Sequence, residues 1–312
     1  MNPPFSAIFL TTLIGAGQGL FLLLFGTEVL MGEASLSTDA HHFLGIGSIV
    51  SLAFTGGGLL ASFFHLGQPQ RGWRAIAMWR TSWLSREVIV LPLFMGGTLA
   101  YAVAHWLGWN TTGIIGALTA LACVALFVCT GMIYASIRFL QEWATPLTVV
   151  NYLLLGCASG ATLVTVLAGW MVPDVVVFYA KVAIFLTLLG WLTRSASLLR
   201  NARLKPKSTL QSAIGIKHPR IVQKAQGFMG GSFNTREFFH GRSPELLKSI
   251  KWGFLVLAFP VPVLCVGAGI SSASVFLLVM GFVFQYVGLV AERWFFFAQA
   301  NHPQNLYYQN IS

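Results

Sequence analysis

The stretch 63–87, FFHLGQPQRGWRAIAMWRTSWLSRE, gathers one histidine, four arginines and one glutamate in a chain whose charged residues amount to only 9%. An imidazole that titrates near neutrality, beside a carboxylate, suits quinone chemistry. A quinone takes up two protons with its two electrons, and its carbonyl oxygens need hydrogen-bond donors. His65 and Glu87 are therefore the candidate proton-handling residues, with Ser85 and Arg86 beside Glu87. The same residue types also fit a plainer account, in which the arginines anchor a loop, His65 snorkels at an interface, and Glu87 pairs with Arg86 or Arg71. A further polar group is Gln18, which lies among Gly15, Gly17 and Gly19 in the middle of an apolar run. Its amide can reach a carbonyl of a bound ring or hydrogen-bond a neighbouring helix.

The elements that must hold these residues follow from composition. At 56% hydrophobic and a mean hydropathy of +0.73, the chain lies outside the range of soluble domains and reads as an integral membrane protein. Spans need about 20 apolar residues each. Eight such stretches stand out, at about 5–31, 42–66, 84–107, 112–137, 147–171, 174–199, 250–270 and 273–298. The expected fold is a single all-α membrane domain of eight transmembrane helices. The first stretch is too long for a signal-peptide core and has no small-residue cleavage site, so it reads as a retained span. From His42 to His65 a helix rises about 35 Å, slightly more than the ~30 Å hydrocarbon core, which sets His65 at a membrane edge. Gly67, Gln68 and Pro69 then turn the chain, and SWLSRE returns at the same level, so the two helix ends can line one pocket.

The +10 net charge is a topology signal rather than a sign of nucleic-acid binding. Arg71, Arg74, Arg80 and Arg86 share one loop, Arg138 sits in another, and eleven of the 19 lysines and arginines lie between Arg200 and Lys251. The alternate loops, around 32–41, 108–111 and 171–174, have none. By the positive-inside rule the basic loops and both termini are cytoplasmic, and the segment 200–249 is a long basic cytoplasmic loop, able to meet lipid or a partner protein. Gly15 and Gly19 in IGAGQGLFL, and Gly156 and Gly160 in LGCASGATL, repeat a small-residue spacing that would allow two four-helix units. Lys181, Glu292 and Arg293 fall within spans; the latter two are about 100° apart around a helix and should find separate partners. Cys123, Cys129, Cys157 and Cys265 read as apolar filler. The histidines form no pair suited to haem and no metal cluster. Pro260 and Pro262 can break the seventh span, but no acidic or basic pair accompanies them, as a transporter site would need.

At HLGQPQR followed by SWLSRE, and again at GLVAERWFFFAQ, the sequence resembles the membrane-anchor subunits of the dimethyl sulfoxide reductase type, within the wider polysulfide-reductase membrane family. The most specific part is His65, Leu66, Gly67 and Pro69 with Arg71, then Ser85 and Glu87. The resemblance implies an anchor without haem or metal of its own. Such an anchor binds an iron–sulfur subunit, linked in turn to a molybdopterin catalytic subunit, and exchanges electrons with ubiquinone or menaquinone. It implies quinone contacts from Gln18, His65, Arg71, Ser85 and Glu87, while Arg74 and Arg80 serve partner docking. The opening NPPFSAIFLTTLIGAGQGLF, the enlarged basic loop and the basic sign of the HLGQP face are similar to the anchors of cytoplasmic sulfite-oxidising molybdoenzymes. The expected setting is the bacterial inner membrane with the partners on its cytoplasmic face. Oxidation of menaquinol to feed a dimethyl sulfoxide reductase-type enzyme, and a purely structural tether, are the competing expectations.

Overall fold

The computed structural model describes residues 1–32, 36–64, 67–222, 240–303 and 305, and these contain helices and no strand. His65 and Leu66 lie outside the described residues, as do Lys224, Arg236 and the long loop's Gly227, Gly230, Gly231, Phe233, Phe238 and Phe239. In chain order the described helices are α1 (Phe5–Met31), α2 (Thr38–Phe63), a 3-10 segment (Pro69–Met78), α3 (Trp83–Leu107), α4 (Thr112–Ala135) and α5 (Pro146–Met171). They continue with α6 (Val176–Ala202), the short α7 (Leu210–Ile214), α8 (Pro244–Leu257), α9 (Pro260–Ser271) and α10 (Val275–Ala298). Eight segments are long and apolar enough to cross a membrane, with α8 and α9 together forming the seventh.

Local chemistry sets the helix ends. Ser37 caps α2, its hydroxyl oxygen accepting from the Ala40 N–H at 3.2 Å, so the helix starts earlier than its apolar run. Ser82 does the same for α3, accepting from the Ser85 N–H at 3.4 Å. At the other end of α3 Gly108 adopts φ +64°, a left-handed residue that stops the helix and turns the chain toward α4. The seventh span breaks at Ala258 and Phe259, immediately before Pro260, which supplies no N–H to continue the ladder.

At the centre α1 packs on α5, and these are the two most enclosed spans. A Cβ on Gly19 would overlap the Gly156 carbonyl oxygen, and one on Gly160 would overlap the backbone of Gly19 and Leu20. The two glycine pairs noted in the sequence thus face each other, bringing the backbones together as small residues permit. Around this seam α2 lies on α1, α3 on α2 and α4, and α4 on α5; α6 and α10 also pack on α5, and α10 packs on α8 and α9.

Candidate functional site

Glu87 stands in the first turns of α3, only 8% exposed, and accepts a hydrogen bond from the Thr130 hydroxyl of α4. Gln18 of α1 is 2% exposed and donates from Nε2 to the Cys123 carbonyl at 2.9 Å, so its amide does tie two helices together. Both side chains line one cavity between α1, α3, α4 and α5, with Thr11, Thr130 and Tyr152 as the other polar groups. Its volume is about 10 Å³, room for roughly one water. The groups suit a ring with carbonyl oxygens, since an amide, three hydroxyls and a carboxyl can donate or accept in turn. The space does not hold a ring.

The other sequence candidates lie elsewhere. Ser85 is 3% exposed at the start of α3 and does not line the cavity. Arg71, Arg74 and Arg80 are exposed along and just beyond the 3-10 segment. The guanidinium of Arg74 sits 5.7 Å over the ring of Trp73, that of Arg80 5.5 Å over Trp79, and that of Arg86 4.2 Å over Trp83. Arg86 also donates to the Trp79 and Arg80 carbonyls at 2.9 and 2.8 Å, closing the loop onto α3. The carboxylate of Glu87 thus takes a threonine, while the arginine next to it holds backbone.

A second cavity of about 10 Å³ adjoins the first, because Tyr152 lines both. Glu292 of α10 meets Arg194 of α6 at 2.6 Å, and Arg293 lies 3.7 Å over the ring of Tyr152 while remaining 3.8 Å from Glu292. The two neighbours on α10 do take different main partners. Asn151 donates to the Ser197 hydroxyl at 2.7 Å beside them. Glu142, in the loop before α5, also lines this cavity, and burial pushes its carboxyl above the ordinary range. Arg194 had a readable signal, a cation inside an apolar run. Thr130 and Tyr152 had none, since each is an ordinary residue in its helix until the bundle closes.

Among the described residues no group of three or more histidine, cysteine, aspartate or glutamate side chains is arranged to hold a metal ion. The family model described as DMSO reductase anchor subunit (DmsC) matches residues 1–298, ending with the last residue of α10. The chain belongs to the DmsC anchor family. One relative is a sulfite dehydrogenase subunit of Allochromatium vinosum, 53% identical over 325 aligned residues, with all of both chains covered. The match to the DmsC family takes in every span that builds the Gln18–Glu87 cavity.

Proposed function

We propose that this chain is the membrane anchor and quinone-reactive subunit of a molybdenum and iron–sulfur oxidoreductase that oxidises sulfite. The end-to-end identity of 53% to a sulfite dehydrogenase subunit carries the reading. Sulfite and water give sulfate, two protons and two electrons in a cytoplasmic catalytic subunit. The electrons pass through an iron–sulfur subunit and, with two protons, reduce a quinone at the bacterial inner membrane. The uneven distribution of lysine and arginine supports cytoplasmic termini and a cytoplasmic partner face. The packing of α1 to α4 beside α5, α6 and α8 to α10 supports two four-helix units.

In this reading His65 and Arg71 meet the headgroup at the membrane edge with Ser85 at the start of α3, and Gln18 belongs to the polar lining of the cavity. Glu87 hands on protons, held toward the cavity by the Thr130 hydroxyl. Because the cavity has room for about one water, Glu87 acts through that water unless the lining side chains move apart. Exposed Arg74 and Arg80, each against a tryptophan, offer the docking surface.

The test is quinone-linked sulfite oxidation by membranes carrying the intact complex with His65→Ala or Glu87→Gln. Turnover should fall on the order of 10²-fold, as for loss of a positioned proton carrier, while sulfite oxidation with a soluble artificial acceptor persists. Wild-type quinone-linked turnover in fully assembled variants would remove the proposed roles. A tether alone predicts that both variants are silent.

A further inference from the structure

Glu28 lies near the end of α1 that approaches the loops without lysine or arginine, and its side chain is only 2% exposed. The Tyr101 hydroxyl donates to its Oε2 at 2.6 Å, the Thr112 hydroxyl donates to its Oε1, and Nε2 of His105 stands 3.9 Å from Oε2. Nδ1 of His105 is 2.8 Å from Nδ1 of His41. His105 is fully buried at its side chain, whereas His41 is partly exposed, next to exposed His42 and Asp39. A buried carboxylate is thus linked to the surface by two imidazoles in a row.

The chemistry of that row is directional. Two ring nitrogens at 2.8 Å share one hydrogen. With it on His41 Nδ1, His105 accepts at Nδ1 and carries its own hydrogen on Nε2, toward Glu28. A proton taken from water at His41 Nε2 then drives the Nδ1 hydrogen onto His105. The Nε2 hydrogen of His105 passes to Glu28 once the pair closes by about an ångström. Both imidazoles end neutral and Glu28 ends as the acid, so one proton enters and one is held. Tyr101 and Thr112 keep the carboxylate oriented to receive it.

Inward of Thr27 and Glu28 the side chains of α1 are apolar as far as Gln18. Leu24, Phe21, Leu20 and Phe94 are all 0% exposed, and Glu28 is separated from Gln18 by about 15 Å of helix rise. Of the other groups near the site, Tyr179 of α6 bonds Thr27 at 2.6 Å, Lys181 of α6 is exposed, and α4 and α5 carry no charged residue. We propose that Glu28, His105 and His41 form a proton-exchange site open to the aqueous phase on the lysine- and arginine-free face, with Glu28 holding the proton. It is separate from the Gln18–Glu87 cavity and does not depend on the role proposed for that cavity.

Infrared spectroscopy of the full-length chain in lipid nanodiscs, after a rapid drop in pH, tests this. The wild type should gain a protonated-carboxyl C=O band that Glu28→Gln abolishes and Glu87→Gln retains, and Thr112→Val should move it to higher frequency by removing the donor to Oε1, the oxygen left as the carbonyl when Oε2 takes the proton. In His41→Gln the band should rise on the order of 10²-fold more slowly, the loss expected when a positioned proton carrier is removed. A wild-type rate in His41→Gln, or the absence of any band that depends on Glu28, overturns the proposal. If Glu28→Gln does not fold, the rate in His41→Gln decides alone, because that side chain is partly exposed and its exchange leaves the core intact.

Discussion

At the scale of single residues, each buried glutamate and arginine among the described residues faces an oppositely charged, hydroxyl or aromatic group. Arg194 and Glu292, at 2.6 Å, are 3% and 2% exposed at their side chains. Removing one member of such a pair leaves the other charged and buried, which costs about 3–5 kcal/mol, whereas replacing both by apolar groups of similar volume is close to neutral. Because Glu292 also stands 3.8 Å from buried Arg293, Glu292→Leu should lower stability in detergent by at least that amount, and Arg194→Leu with Glu292→Leu should recover only part of it, with Arg293 still buried. Unfolding of the four chains of this double-mutant cycle checks the prediction. The sequence exposed Gln18, Glu87, Glu292 and Arg293 because an ionisable or amide side chain at membrane depth is conspicuous against an apolar background. It could not expose Thr130 or Tyr152. Both types are common in membrane helices, and their importance arises from what α4 and α5 bring beside Glu87.

At the scale of elements, the α1–α5 seam is held by backbone approach rather than by side-chain bulk. Gly160→Ala should destabilise the fold by about 3 kcal/mol, since the new methyl has backbone atoms of Gly19 and Leu20 in its way. Gly253→Ala and Gly267→Ala meet nothing within 4 Å and should be neutral, or stabilising by about 0.5–1 kcal/mol through helix propensity. Thermal unfolding of the three variants in one detergent separates these outcomes. Hydropathy made the eight spans legible, because a membrane helix has to be long and apolar. It did not show where α2 begins, since the Ser37 cap extends the helix through the polar residues Thr38, Asp39, His41 and His42. Nor did it show that a ten-residue 3-10 segment links α2 to α3, because the pattern of Trp and Arg residues there is not that of a membrane span.

At the scale of the whole molecule, charge is distributed by face. The arginine and tryptophan pairs at Trp73, Arg74, Trp79 and Arg80 form an exposed surface with Met78, which is 62% exposed. Aromatic and arginine residues of this kind dominate stable protein interfaces. Under the proposed function, Arg74→Glu with Arg80→Glu should release the soluble subunits from the membrane, measured as sulfite-oxidising activity moving to the supernatant after centrifugation, while the chain itself stays membrane-bound.

The apolar layer of Leu20, Phe21, Leu24 and Phe94 has a bioenergetic consequence. Under the proposed function, electrons and protons both reach the quinone from the cytoplasmic face, and these four apolar side chains stand between the Gln18–Glu87 cavity and Glu28. Each turnover would then reduce the quinone pool without separating charge. Proteoliposomes containing the complex and fed sulfite should form quinol while a voltage-sensitive dye records no membrane potential. The energy of sulfite oxidation would be conserved only later, by whichever enzyme reoxidises the quinol.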